Sequence, residues 1–282
     1  MYQTRIVYFV VYLAVESSLL AQPGLPRSED EFKAASKEAK RELVVKIIRH
    51  TDDLAPEELA AVLRASLADP DRAFREGALA AISARTIGPL LVRGTSIRQD
   101  WNRDRAALQP LRPRVEDLLR KDTEESIRAD AVSTFASFDY DPSAPQTGIN
   151  AVTVRILLER YYADSSPRVK AKIVTGLSVV PGPVTESVGV VLKDAIAFPD
   201  RRVRFAALHG MAKLGSDGRI LLFSALRDSD RSVRIQAAIL VDQRADLRPE
   251  DLPAIESGLE REEDAQARAA LERAAIRIRT RR

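Results

Sequence analysis

The stretch PDRRVRFAALHGMAKLG, residues 199–215, has the pattern of one amphipathic helix that starts after a proline and ends at a glycine. With Val203 as position zero, Asp200 lies three residues before it, Arg204 lies one after it, and apolar residues lie four, five and eight after it. Residues at offsets zero, four, five and eight share one face of an α-helix. The stretch therefore predicts a helix with a single buried stripe, an acidic N-cap and a flanking arginine.

The same skeleton returns along most of the chain. Its position zero also falls at Phe74, Ile127, Val169, Val233 and, more weakly, Ala267. Second helical patterns lie between the copies, at 56–68, 114–121, 151–162, 184–198, 219–228 and 252–262. Each unit thus reads as a helix, a short turn and a second helix. Repetition of a helix pair of this kind along a chain is typical of an α-solenoid.

The D-x-x-V-R-x-x-A core, clearest at 200–207 and 230–237, resembles HEAT repeats, including the HEAT-like group first noticed in bilin lyases. The resemblance covers about residues 55–280 and implies an all-α fold, an alpha-alpha superhelix of about six helix pairs. In that family the Asp and Arg of successive units form a ladder between repeats. Carried over to this chain, the ladder comprises Asp71, Arg75, Arg128, Asp200, Arg204, Asp230, Arg234, Asp264 and Arg268. Ser166 and Lys170 depart from the pattern and predict one weaker rung.

The N-terminus has the features of a secretory signal peptide. Arg5 precedes an apolar run, Ile6 to Val15, and a small residue, Ala21, stands at the natural cleavage point. A membrane anchor and an ordinary buried helix are the alternatives, although Glu16 interrupts the run well short of the roughly 20 residues that span a bilayer. We expect cleavage after Ala21 and a periplasmic or secreted protein that does not stay bound to the membrane.

The sequence divides into three predicted parts: a signal peptide at 1–21, a linker and N-terminal capping helix at 22–54, and the repeat solenoid at 55–282. The motif SEDE at 28–31 is a capping-box signature, and the helix that follows it is predicted to reach about Arg49.

Composition and motifs argue against several kinds of chemistry. The 44 basic and 41 acidic residues leave a net charge of only +3, too small an excess to attract nucleic acid strongly. The absence of cysteine excludes disulfides, thiolate nucleophiles and cysteine-ligated zinc. The two histidines, His50 and His209, are too few for a typical histidine metal cluster. We therefore predict no catalytic residue, cofactor or metal.

Two irregular segments, 86–102 and 140–150, interrupt the stack. Long insertions in solenoids often touch ligands, so an enzyme or accessory subunit that uses them is the main alternative, and neutral decoration is the other. A HEAT-like DNA glycosylase would need an aromatic and acidic cluster on a basic face, and Trp101 does lie near Asp100, Arg103 and Asp104. The single tryptophan, the balanced charge and the export signal argue against that function.

The remaining candidate site is a surface. In HEAT proteins the second helix of each unit lines the concave side, and offsets three, six and ten fall on one face away from the core stripe. We call the polar residues at these offsets the concave ribbon: Asp130, Ser133, Ser137, Lys172, Thr175, His209, Lys213, Gln236, Gln243, Arg273 and Arg277. This ribbon is mostly polar and changes from acidic to basic along the chain. It favours a non-catalytic scaffold that binds a protein or peptide partner, and a merely solvated face is the alternative.

Overall fold

The structure is a computed structural model that describes residues 25–49, 52–87, 97–139, 148–179, 186–211 and 214–280. Over these residues the chain forms α-helices and two short 3-10 turns, with no strand. The helices are α1 (Glu29–Ala34), α2 (Lys37–Arg49), α3 (Pro56–Leu67), α4 (Arg72–Ile87), α5 (Ile97–Leu108), α6 (Arg112–Lys121), α7 (Glu125–Ser137), α8 (Ala151–Ala163), α9 (Pro167–Val179), α10 (Glu186–Ile196), α11 (Arg201–Met211), α12 (Gly215–Ala225), α13 (Arg231–Gln243), α14 (Leu252–Arg261) and α15 (Ala265–Thr280). The all-α class is confirmed.

The helices form two layers. The second helices of the units, α2, α4, α7, α9, α11, α13 and α15, pack in one row, each against the next. The first helices, α3, α6, α8, α10, α12 and α14, pack mainly on their own second helix and touch each other little. The row of second helices is thus the more closely packed layer, so it forms the inner side of the superhelix. The six predicted helix pairs are all present in this arrangement.

The predicted stripe is the core. In α11, Val203, Ala207, Leu208 and Met211 are completely buried. The corresponding residues of α4, α7, α9 and α13 are also buried, and Ala267 and Leu271 are buried in α15. Glu272, which occupies an apolar position of the copy in α15, faces solvent.

The N-terminal helix differs from the prediction. Instead of one helix there are two, because Ala35 is extended (ψ 151°) and Ser36 starts a new helix by accepting a hydrogen bond from the Ala39 N–H. In α2 the buried residues Leu43, Val44 and Ile47 lie four, five and eight residues after Ala39. The second of these helices is thus a further copy of the repeat, which stacks on α4.

Part of the predicted insertion 86–102 is also helical, since α5 begins at Ile97. The sequence of α5 is rich in charged residues, so it shows no clear apolar stripe from which a helix could be predicted. The segments 88–96 and 140–147, together with the predicted signal peptide, His50 and Lys213, lie outside the described residues. In the described part of the chain, no helix has the length and apolar character needed to cross a membrane.

Candidate functional site

The repeats are joined by an arginine that contacts three segments at once. Arg204 donates from Nε and Nη2 to the two carboxylate oxygens of Asp228 at 2.7 and 2.8 Å. Its Nη1 donates to the carbonyl oxygens of Phe198 and Pro199 at 2.9 and 2.7 Å. Asp228 belongs to the turn before α13, so the guanidinium links its own unit to the next one. Bidentate pairing of this kind fixes geometry as well as charge.

This rung recurs along the stack, and together the rungs form what we call the inner ladder. Its pairs are Lys40–Asp69, Arg75–Asp122, Arg128–Asp164, Arg204–Asp228 and Arg234–Glu262. In each pair the acidic residue lies five residues before position zero of the following unit. Each of the four arginines also donates from Nη1 to two carbonyl oxygens of its own turn.

The predicted acidic partners are different from the observed ones. Asp71, Asp200, Asp230 and Asp264 do not pair with the ladder arginines. They are N-caps, and the carboxylate of an N-cap must turn toward the amide groups of its own first turn. Asp230, for example, accepts from the Ser232 and Val233 N–H groups at 2.9 and 3.2 Å. Arg268, on the last described helix, donates to the carbonyl oxygens of Leu259 and Glu262.

Three of these N-caps, together with Glu124, the N-cap of α7, also form a second, more exposed set of ion pairs, the outer ladder. Its pairs join residues two before position zero in one unit to the N-cap of the next: Lys37–Asp71, Arg72–Glu124, Arg201–Asp230 and Arg231–Asp264. Exposed ion pairs of this kind are individually weak, because solvent screens them. Their regular spacing nevertheless adds to the register of the stack.

The junction between α9 and α11 lacks both kinds of ion pair. Lys170 occupies the position of the ladder arginine, and Phe198 occupies the position of the acidic partner. The lysine ammonium lies 5.7 Å from the centre of the Phe198 ring and 4.6 Å from the centre of the Tyr161 ring. Lys170 Nζ also donates to the Tyr161 carbonyl oxygen. In the outer ladder Pro167 replaces the basic residue, and Asp200 pairs with Arg202 of its own helix. At this junction, where the sequence predicts a weaker rung, a cation–π contact of Lys170 thus stands in place of the ion pair.

The charges of the ladders are satisfied structurally. Burial alone would raise the pKa of Asp164, but hydrogen bonds from Arg128, the Ser166 N–H and Arg160 together lower it below its ordinary value. Burial lowers the pKa of Lys170. The pKa of Tyr161 is raised by burial and by its hydrogen bond to Asp194. These shifts thus follow from burial and from the pairing of the ladder residues with one another.

The concave ribbon lies on the second helices. Asp130 and Ser133 are on α7, Lys172 and Thr175 on α9, His209 on α11, Gln236 and Gln243 on α13, and Arg273 and Arg277 on α15. Every one of these nine side chains is exposed or half-buried. The nine side chains thus lie on five successive second helices. Ser137 of α7, also predicted for the ribbon, is instead buried within hydrogen-bond distance of the Thr86 hydroxyl, and Lys213 lies outside the described residues.

An aromatic cluster lies in the middle of this row. The ring of Phe205, a residue that is 37% exposed, packs edge-on against His209 with 6.2 Å between the ring centres. Gln236 Nε2 lies 3.4 Å from His209 Nε2. Phe205 is absent from the predicted ribbon because it lies at offset two, whereas the ribbon comprises offsets three, six and ten. Its signal was a large apolar residue at an offset where the copies in α4, α7 and α9 carry Glu76, Ala129 and Ala171, although the copy in α13 has Ile235 there.

The charge of the ribbon is lower than the sequence suggests. Arg273 and Arg277 both pair with Asp242, at 2.8 and 2.7 Å. Desolvation lowers the pKa of His209 below its ordinary value of 6.5, so its imidazole is neutral at pH 7. Burial likewise raises the pKa of Asp130. The face is thus polar and nearly neutral, with one exposed aromatic cluster.

Asp104, a candidate of the enzyme alternative, has a structural role. It is buried and accepts a hydrogen bond from Arg85 Nη1, while Arg85 Nη2 pairs with Asp52. Arg103 is exposed on α5. The side chains of Asp100 and Trp101 lie outside the described residues. Among the side chains that the structure describes, no group of three or more His, Asp or Glu residues is arranged to hold a metal ion.

Solved structures share this fold. The HEAT-like repeats protein of the archaeon Thermococcus onnurineus NA1 is 12% identical over 87% of this chain and 98% of its own, with a TM-score of 0.54. Crystal structures of two engineered proteins are 17% and 19% identical, cover 80% and 89% of this chain and 96% and 71% of their own, and both have a TM-score of 0.49. Neither a family model nor a curated protein matches the chain. The fold is an all-α superhelix of HEAT-like repeats.

Proposed function

We propose that this protein is an exported, non-catalytic scaffold that binds a protein or peptide partner along the concave ribbon. The observation that carries the proposal is the Phe205–His209–Gln236 cluster, which is exposed at the centre of a closely packed row of helices. Aromatic residues near the centre of a surface supply much of the energy in protein–protein interfaces.

The ribbon around this cluster suits an extended chain. Ser133 and Thr175 are short, exposed side chains on α7 and α9, and they leave the backbone of a partner room to approach the helices. Gln236 offers an amide that can both donate and accept hydrogen bonds. The ladders hold the helices in place before binding, which lowers the entropic cost of association. Affinity then comes from the sum of several weak contacts.

Binding along the ribbon is tested by site-specific photo-crosslinking. We place a photoreactive amino acid at Thr175 on the ribbon or at Val190 on α10, which is exposed in the first-helix layer. Crosslinking in cells of the source organism should give a discrete adduct from Thr175 and none from Val190. Equal adducts from both positions would contradict the proposal.

The role of the aromatic cluster is tested with a matched pair of variants in the same assay. Phe205→Ala should remove the adduct, whereas Ile220→Ala, at a residue 63% exposed on α12, should leave it unchanged. Trp101→Ala should also leave the adduct unchanged, because Trp101 lies in the insertion 86–102. Only the alternative, an enzyme or accessory subunit, predicts that this insertion holds the partner. Loss of the adduct only in the Trp101 variant would favour that alternative.

Export rests on the N-terminal sequence and has its own test. The mature N-terminus is determined by mass spectrometry after expression with the native leader and cell fractionation. We expect a terminus at Gln22 in the periplasmic or secreted fraction. An intact Met1 in the cytoplasmic fraction would contradict export and would make nucleic acid the next ligand to test, by the salt dependence of its binding.

A further inference from the structure

One rung of the inner ladder differs from the other arginine rungs. Arg75, Arg128 and Arg204 each donate from both Nε and Nη2 to an aspartate. Arg234 faces Glu262 instead and donates to it only from Nε, at 2.9 Å. The other oxygen of Glu262 accepts from the N–H groups of Glu263 and Asp264. Within the described residues, the Nη2 group of Arg234 therefore makes no hydrogen bond.

Arg234 lines an open groove of about 380 Å³. The other lining residues are Leu226, Arg227, Arg261 and Glu263. The Arg234 side chain is 25% exposed, compared with 13–15% for the three bidentate arginines. Arg227 has only a 3.3 Å contact with the hydroxyl of Ser257, and Arg261 makes no hydrogen bond or ion pair to any described residue. Three guanidinium groups thus share one groove with a single lining carboxylate.

The equivalent groove three junctions earlier, between α7 and α9, serves as an internal comparison. It measures about 170 Å³ and is lined by Arg120, Lys121, Arg128 and Arg160, among others. There each of these four basic side chains is paired with a carboxylate: Arg120 with Glu116, Lys121 with Asp117, and both Arg128 and Arg160 with Asp164. Every one of these basic side chains has a carboxylate partner at the α7–α9 junction, whereas Arg227 and Arg261 have none among the described residues at the α13–α15 junction.

We infer that the groove at Arg227, Arg234 and Arg261 binds an oxyanion of the phosphate type. Guanidinium groups present paired N–H donors that match the oxygen atoms of a phosphate, and three of them favour a doubly charged anion over a singly charged one. Leu226 gives the groove an apolar wall for an organic group attached to the phosphate. The groove lies at the turns between units, apart from the concave ribbon, so this site is independent of the proposed partner surface.

The test is a calorimetric titration of the full-length protein with inorganic phosphate, at constant ionic strength, with acetate as the singly charged control. We expect saturable phosphate binding that is weakened about fivefold or more by Arg261→Ala, which removes a charge-assisted donor. Lys121→Ala, in the comparison groove, should have no effect. Phosphoserine is titrated in parallel: tighter binding than phosphate would indicate a phosphorylated chain as the source, and equal binding a free phosphate. Either result supports the site.

Two further variants separate this site from a general effect of charge. Glu262→Asp introduces the acid found in the other arginine rungs. The aspartate should accept hydrogen bonds from both Nε and Nη2 of Arg234, which should weaken phosphate binding while thermal stability is retained. Glu263→Gln removes the lining carboxylate and should tighten binding. Absence of saturable binding, equal binding of acetate, or equal losses in Arg261→Ala and Lys121→Ala would overturn the inference.

Discussion

Two neighbouring junctions of the superhelix are held together in different ways. Between α11 and α13, Arg204 pairs with Asp228 in the inner ladder and Arg201 with Asp230 in the outer ladder. Between α9 and α11 there is no ion pair in either ladder, and Lys170 instead lies against aromatic rings. The core stripes of α9, α11 and α13 are nevertheless buried at both junctions.

Close packing takes the place of charge at the α9–α11 junction. A methyl group on Gly210 would fall 2.6 Å from a Leu192 δ-carbon and 2.8 Å from the Ser178 hydroxyl oxygen. Ser178 Oγ also approaches the Ala206 carbonyl oxygen at 3.4 Å. Small residues allow these helices to approach closely, and interiors packed at this density resist sliding. The comparison shows that register between repeats can be set either by ion pairs or by steric fit.

The largest effect should come from filling the close contact. Gly210→Val should lower the free energy of unfolding by about 3 kcal/mol, because an overpacked core forces side chains and backbone to move. Gly176→Val is the matched control, since nothing lies within 4 Å of an added Cβ there. Urea denaturation of both variants measures the difference. Equal losses would mean that the fit at Gly210 does not set this junction.

The next effect should come from removing a rung of the ladder. Arg204→Ala should destabilise the protein by about 2 kcal/mol, because it leaves the Asp228 carboxylate and two carbonyl oxygens without their main partner. Lys170→Met keeps the apolar stem between Tyr161 and Phe198 and should cost less than about 1 kcal/mol. A greater loss in the lysine variant, by the same denaturation assay, would reverse the comparison.

Much of this architecture could be predicted from sequence, because the buried stripe depends on a helical period that local sequence displays. The arginines of the ladder were also found, since they recur at a fixed offset. Their partners were not: whether an aspartate at offset minus three or minus five reaches the arginine depends on how the turn between the helices folds. That geometry is a property of the packed repeat and leaves no periodic signal.

The repeat in α2 and the aromatic cluster were missed for related reasons. In α2, Lys40 replaces the arginine and Ala39 the larger apolar residue, so the copy lost the features by which the others were aligned. Phe205 at offset two could be recognised as exposed only once neighbouring helices defined which side of α11 remained open. A rule that selects large apolar residues outside the core offsets would have listed Phe205 together with Ile235, without telling which of the two is exposed.

A third prediction asks whether the two kinds of junction are interchangeable. The double variant Lys170→Arg with Phe198→Asp should create an inner rung where the protein has none. We expect a coupling energy of about 1 kcal/mol between the two substitutions, from a double-mutant cycle, because the new pair would be partly shielded from solvent. The coupling should decrease at high salt. Zero coupling would show that the backbone at this junction differs too much from that of the others.

The smallest effect should appear in the dependence of stability on pH. The pKa of Asp164 in the folded protein lies below its ordinary value of 3.8, so its pairing with Arg128 stabilises the fold above that value. This contribution is lost as pH falls through the lowered folded pKa. The difference in unfolding free energy between the wild type and Arg128→Met should therefore shrink by roughly 0.5–1 kcal/mol between pH 6 and strongly acidic solution. Arg114→Met, at an exposed arginine of α6, should show a difference that does not change with pH. If both variants changed alike, the effect would reflect the total charge of the protein, and the ladder would not account for its loss of stability in acid.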